Sequence, residues 1–147
     1  PSAEYKQVTV LFADVVHSMD LAAAVGAERL REIIAELVGS AKAVVKRYGG
    51  ALDTFTGDGI MAVFGAPATL EDHASRACMA ALEIQDAVQR LAVDIRARDG
   101  VDLRLRIGLN SGEVVVGDIG SAAVGYTAIG EQVAWLSGWS RWRRRAR

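Results

Sequence analysis

The sequence lacks the features that would indicate a secreted, membrane-spanning or disordered protein. Its single cysteine, Cys78, cannot form an internal disulfide, which fits a reducing compartment. No apolar run approaches the roughly 18 residues that span a bilayer, and residues 1–7 are polar with no signal-peptide core. With 51% apolar and 24% charged residues, disorder is excluded. The 147 residues are therefore predicted to form one cytoplasmic domain without membrane insertion.

Charge is distributed unevenly along the chain. Of 17 basic residues, five lie in the last seven positions, so residues 1–140 carry 12 basic against 18 acidic groups, a net charge of −6. A body this acidic predicts no nucleic-acid partner, unless the basic tail alone makes the contact. The alternative for the tail is a solvated chain end. Because the sequence starts at Pro1 rather than methionine, we expect a fragment or processed chain.

Hydrophobic periodicity predicts an α+β order of elements. A run apolar on both faces over 6–13 predicts a central strand that ends at Asp14. Apolar residues spaced three and four positions apart predict helices over 27–48 and 71–98, with Cys78 in the core. Further strands are expected at 51–55, 60–64, 101–109, 113–116 and 124–129, with a turn at Ser111-Gly112. This order predicts a ferredoxin-like fold, a mainly antiparallel sheet with helices on one face. The other face needs a cover, for which a second subunit is a natural candidate.

Two aspartates follow predicted strands and suggest a metal site. Asp14 follows the first strand, and Asp58 lies 44 residues later at the tip of the hairpin formed by 51–55 and 60–64. Carboxylates brought together at the ends of adjacent strands form an all-oxygen site suited to Mg²⁺ or Mn²⁺, and point to phosphoryl or nucleotidyl transfer. An aspartate after a strand is also a common turn or cap former, so the residues alone leave both interpretations open.

Three ordered segments resemble the signature segments of class III nucleotidyl cyclases. They read VLFADVV over 10–16, FTGDGIMAVFG over 55–65 and RIGLNSGEVVVGDIG over 106–120. The resemblance runs from about Thr9 to Val133, nearly the whole chain. It implies a bacterial-type domain that converts ATP, or less often GTP, into the 3′,5′-cyclic monophosphate and pyrophosphate with two Mg²⁺ or Mn²⁺ ions. Family members pair head to tail, with the metals on one subunit and the base-reading residues on the other.

The resemblance also assigns roles to individual residues. It implies that Asp14 and Asp58 hold both metals and that the carbonyl of Val15 assists one of them. The turn formed by Val16, His17, Ser18 and Met19 would contact the phosphates, because a turn opening into a helix supplies backbone donors. Gly57 at the hairpin tip is expected to bind substrate as well. His17 stands where relatives often have glycine. Its side chain either contacts a phosphate or is simply an imidazole in a surface loop.

Two positions are expected to read the purine. Thr54 stands where adenylyl cyclases usually carry lysine, and Thr127 aligns with its partner, commonly aspartate or threonine. Guanylyl cyclases tend to place glutamate at the first position, so its absence favours ATP.

The segment after Gly130 departs from the family pattern. Where relatives carry an asparagine that orients the ribose and, four residues later, an arginine that neutralises phosphate charge, this chain has Ala134 and Gly138. Losing such an arginine should cost roughly 3 to 6 kcal/mol of barrier. We therefore expect a cyclase homology domain over 1–133, C-terminally incomplete, and an atypical Trp/Arg-rich tail over 134–147, which suggests a frameshift or truncation.

These departures leave more than one function open. The first expectation is a weak, Mn²⁺-favoured, dimer-dependent adenylyl cyclase. The first alternative is a non-catalytic cyclase-like module that binds nucleotide or forms a heterodimer with an intact cyclase subunit. A second alternative, a phosphoacceptor module built on Asp14, requires a doubly wound parallel sheet.

Overall fold

One five-stranded sheet organises the chain in the computed structural model, which describes residues 4–56, 59–66, 68–116 and 126–127. In chain order the elements are β1 (Glu4–Val15), α1 (Ser18–Val25), α2 (Ala27–Arg47), β2 (Ala51–Thr56), β3 (Gly59–Phe64), α3 (His73–Asp99), β4 (Leu105–Val116) and β5 (Tyr126–Thr127). The strand order is β2-β3-β1-β4-β5, and every pair in the described ranges is antiparallel. The predicted α+β class is confirmed, and the parallel sheet that a phosphoacceptor module requires is not found among these strands.

The helices α2 and α3 cover one face of the sheet. Their buried positions recur every three or four residues, so each helix presents one apolar stripe to the strands. On β1 this face carries Leu11, Ala13 and Val15, which share a core cluster with Phe64 of β3 and with both helices. The predicted arrangement of helices on one face is therefore confirmed. In the ranges that the structure describes, no helix has the length and apolar character to cross a bilayer.

The opposite face of β1 is also buried. Strand alternation places Val8, Val10, Phe12 and Asp14 on that face, and all four are at most 8% exposed in the single chain. The neighbouring Val63 of β3 is buried as well. The burial of these side chains therefore does not require the second subunit that the sequence suggested as a cover.

Several predicted strand boundaries are wrong. β1 does not end at Asp14 but includes it and continues to Val15. β4 has no turn at Ser111-Gly112, because β1 is equally long and pairs with β4 without interruption from Val15↔Leu105 to Glu4↔Val116. The four residues before Leu105, predicted as strand, lie outside it. Of the strand predicted at 124–129, only Tyr126 and Thr127 fall within the described residues.

Two further features differ from the sequence prediction. The helix α1 is a separate eight-residue element, divided from α2 by Gly26, whose φ of 89° suits glycine. Cys78 is exposed, so its assignment to the core is wrong. The buried stripe of α3 runs through Ala77 and Ala80, and Cys78 lies one residue, about 100° of helix rotation, away from Ala77.

A bidentate ion pair ties the start of α2 to the end of α3. Arg29 Nε and Nη2 donate to Asp99 Oδ1 and Oδ2 at 3.0 and 2.9 Å. The hydrogen bond from Arg29 lowers the pKa of Asp99 below its usual range. A lowered carboxyl pKa contributes stability that is present above the unfolded pKa, about 3.9, and is lost as pH falls through the folded pKa.

Asp99→Asn is therefore expected to lower the urea midpoint at pH 7, because the amide removes the charged partner of Arg29. The difference from the wild type should shrink as pH falls below about 4. Urea titrations of both proteins between pH 7 and pH 3 measure it. A difference that stays constant over this range would mean that the ion pair contributes no pH-dependent stability.

Candidate functional site

Asp14 occupies a central and buried position in the sheet. It is the second-last residue of β1, is 1% exposed, and lies on the face opposite the helices. Because β1 lies between β3 and β4, Asp14 has a neighbour on each side: Gly59, the first residue of β3, and Arg106 of β4. A carboxylate in this position is held by two strands rather than by a loop.

The two strands of the hairpin predicted to carry Asp58 are confirmed. β2 and β3 pair antiparallel through registers that include Thr54↔Ile60 and Thr56↔Gly59, with a bulge between Thr54 and Thr56. Gly57 and Asp58 lie outside the described residues. Gly59, which follows Asp58 in the sequence, pairs with Asp14 across β1 and β3. The convergence of the two aspartates therefore stays a prediction, with one flanking residue of Asp58 already beside Asp14.

The predicted phosphate turn opens into a helix, as the sequence indicated. Val16 donates its N–H to the carbonyl of Arg104 at 2.9 Å, which joins the end of β1 to the segment before β4. His17 follows with a left-handed backbone, φ 53° and ψ 45°, and α1 begins at Ser18. Ser18 is buried and Met19 is 70% exposed. The first turn of a helix leaves backbone N–H groups without intrahelical partners, so this end of α1 can accept an anion.

Arg106 is a candidate site residue to which the sequence analysis assigned no role. In the structure it is half-buried and lies directly across from Asp14 in the β1–β4 register. Strand alternation could identify its face, but the pairing with Asp14 depends on the register between strands about 90 residues apart. A cation next to a carboxylate at the end of β1 adds a group suited to phosphate oxygens.

The two residues expected to read the purine lie far apart in the sheet. Thr54 is on β2 and Thr127 is on β5, where it pairs with Val115; these are the two outermost strands among the residues that the structure describes. Three strands separate them within one chain. Within one chain, the structure therefore does not bring the two threonines together.

The oxygen donors near Asp14 fit a hard divalent cation. Asp14 carries a carboxyl group, and Val15 beside it adds a backbone carbonyl. Within the described ranges there is no group of three or more His, Cys, Asp or Glu side chains that could hold a metal. Oxygen ligands of this kind, few in number, suit Mg²⁺ or Mn²⁺, which keep waters and substrate phosphates in their shells, better than they suit zinc.

Comparison with known proteins gives a consistent result. The family model described as "Adenylate and Guanylate cyclase catalytic domain" matches residues 1–139. Adenylate cyclase 1 of Rhizobium meliloti is 28% identical over 129 residues, which are 87% of this chain and 19% of that protein. The chain thus spans about a fifth of this curated relative.

Two solved structures are similar along nearly the whole chain. The guanylyl cyclase Cya2 is 31% identical with a TM-score of 0.79, covering 92% of this chain and 69% of that one. The adenylyl cyclase CyaB from P. aeruginosa is 28% identical with a TM-score of 0.80, covering 93% and 72%. Similarity to an adenylyl and a guanylyl enzyme is thus nearly equal.

Proposed function

The chain belongs to the adenylate and guanylate cyclase catalytic-domain family, and from that premise we propose that it converts ATP into 3′,5′-cyclic AMP and pyrophosphate. The observation that carries the proposal is the position of Asp14, buried at the end of the central strand beside Gly59 and opposite Arg106. An ATP-consuming domain of this kind would act in the cytoplasm in signal transduction.

In this proposal Asp14 and Asp58 hold two Mg²⁺ or Mn²⁺ ions, with the Val15 carbonyl as a further ligand. Bound there, the metals would lower the pKa of the attacking ribose hydroxyl and stabilise the departing pyrophosphate. The chain's own contribution is orientation. The strands fix Asp14, the turn from Val16 to Met19 offers backbone donors to the phosphates, and Arg106 offers a guanidinium on the same face as Asp14.

The preference for ATP rests on Thr54 and Thr127. A threonine hydroxyl both donates and accepts, whereas the glutamate common in guanylyl enzymes would favour guanine. We propose a head-to-tail dimer for the complete site, in which one chain holds the metals at Asp14 and the two threonines of its partner read the purine. The strand topology supports this proposal, because within one chain β3 lies between β2 and β1, and β4 lies between β1 and β5, so neither threonine is on a strand next to Asp14.

A second candidate function follows from Ala134 and Gly138, which lie outside the described residues. Neither side chain can donate a hydrogen bond to ribose or phosphate. A chain with intact metal ligands but without these two groups would serve as a nucleotide-binding module or as one half of a heterodimer with an intact cyclase subunit. We propose that the homodimer keeps weak activity and that such a partner would raise it.

The test is product formation by the purified chain. ATP or GTP is incubated with Mn²⁺ or Mg²⁺ at several protein concentrations, and cyclic AMP and cyclic GMP are quantified by mass spectrometry. We expect cyclic AMP in excess of cyclic GMP, more product with Mn²⁺, and a specific activity that rises with protein concentration as dimers form. Absence of both products at high protein concentration, with nucleotide binding retained, would favour the non-catalytic module.

A further inference from the structure

The face of α3 that points away from the sheet carries large apolar side chains. Of the six such side chains that are exposed in the described ranges, three lie on this helix: Met79, Leu82 and Val93, at 50%, 64% and 70%. Single exposed apolar residues are ordinary on a protein surface, but a row of them along one helix face marks an interaction surface.

These side chains form part of a stripe with the spacing of a helix-pairing seam. Leu82 and Asp86 each lie two residues, about 200° of helix rotation, from the buried Ile84, so both point away from the core. Steps of three and four residues in both directions define the outer stripe of α3, which consists of Met79, Leu82, Asp86, Gln89 and Val93. All five are exposed, and an alternation of three and four is the period at which one helix packs along another.

Two charges on this face have no ion-pair partner within the described ranges. Asp86 and Arg90 are exposed, and neither pairs there with another charged side chain. By contrast, Glu83, Arg96 and Arg98 of the same helix all form ion pairs with other parts of the chain. A surface that matches the outer stripe therefore has to be apolar and to carry one charge of each sign.

A second copy of α3 meets this requirement when the two helices run antiparallel. The register that sets Leu82 opposite Val93 of the other copy forms this apolar contact twice, because the pair has two-fold symmetry. In the same register Asp86 lies beside Gln89 and Arg90 of the other copy, since each is about one helical turn from the apolar contact. A parallel pair would place Asp86 against Asp86, where like charges repel. Charge complementarity thus favours the antiparallel arrangement.

We propose that the outer stripe of α3 is an interface through which two copies of this chain pair antiparallel. The inference rests on the stripe itself and not on the proposed function. Because α3 covers the sheet face opposite the one that carries Asp14, the contact leaves the nucleotide site free and joins head-to-tail dimers to one another. One pair of helices buries less than the roughly 1,600 Å² of a standard interface, so we expect a dissociation constant of about 100 µM.

Charge reversals test this interface and its register. Sedimentation equilibrium measures the association of the full chain at protein concentrations below and above the expected dissociation constant. Asp86→Arg and Arg90→Asp are each expected to weaken association about tenfold, because symmetry makes each change replace two attractions by two repulsions. The double reversal, Asp86→Arg with Arg90→Asp, exchanges the two charges and should restore association to within about threefold of the wild type.

Asp94→Arg is the matched control, because Asp94 is exposed on the same helix but lies about 100° of rotation from the stripe residue Val93. Its association should equal that of the wild type. The head-to-tail contact is common to all variants and cancels in the comparison. Equal weakening in the control would assign the effect to net charge and overturn the proposal. So would a double reversal as weak as the single ones, or unchanged association in both single reversals, as expected if residues 134–147 cover the stripe.

Discussion

Asp14→Asn is expected to abolish cyclic nucleotide formation, lowering the rate about a thousandfold or more. This corresponds to about 4 kcal/mol of lost transition-state stabilisation. The reason is that an amide keeps the shape of the side chain but removes the anionic oxygen that a divalent cation requires. Because Asp14 is 1% exposed between two strands, the isosteric change should leave the fold intact. The measurement is the rate of product formation with Mn²⁺, alongside circular dichroism and thermal melting.

Asp94→Asn provides the control for this substitution. It makes the same chemical change at an exposed position on α3, so the rate should equal that of the wild type. If Asp14→Asn keeps more than about a tenth of the wild-type rate, Asp14 is not a metal ligand in the reaction, since loss of a ligand to the metal costs more than this. If Asp14→Asn is inactive and also unfolded, metal-dependent ATP binding by Asp14→Glu decides between a structural and a ligand role.

The sequence predicted those helices and strands that a pattern of neighbouring residues is enough to indicate. The apolar run of β1, the apolar stripes of α2 and α3 with their spacing of three and four residues, and the two short apolar runs of β2 and β3 each indicate their element without reference to the rest of the chain. The motif around Asp14 likewise resembles the cyclase family through residues that are consecutive in the sequence. These predictions succeeded because the residues that encode them are neighbours in the sequence.

Predictions that depended on tertiary pairing were less successful. Ser111-Gly112 has turn-forming composition, yet twelve residues of β1 continue the pairing through it, so strand formation prevails over local preference. Cys78 is apolar enough for a core, but a helix of 27 residues has room for one buried stripe only, and Ala77 occupies it. The pairing of Arg106 with Asp14 is likewise a property of the register, which composition and spacing do not determine.

The double substitution Ala134→Asn with Gly138→Arg is expected to raise the rate of cyclic AMP formation about a hundredfold to ten-thousandfold. A positioned arginine contributes several powers of ten to phosphoryl transfer by neutralising charge that develops on the phosphates, and the asparagine would orient the ribose. The measurement is kcat with saturating ATP and Mn²⁺. Ala134→Asn with Gly138→Gln is the matched control, because it adds length and hydrogen bonds without charge, and its rate should rise far less.

Mixing experiments connect this gain to the proposed dimer. A chain that combines Asp14→Asn with Ala134→Asn and Gly138→Arg lacks the Asp14 carboxylate, one of the two metal-binding side chains, so it should be inactive alone. Mixed with wild-type chains, it would supply asparagine and arginine opposite an intact Asp14, and one complete site would form in each heterodimer. Activity that exceeds the sum of the separate proteins is the expected result. If the restored residues act only in the chain that also carries Asp14, the mixture stays at the wild-type rate, and the head-to-tail arrangement of the site is wrong.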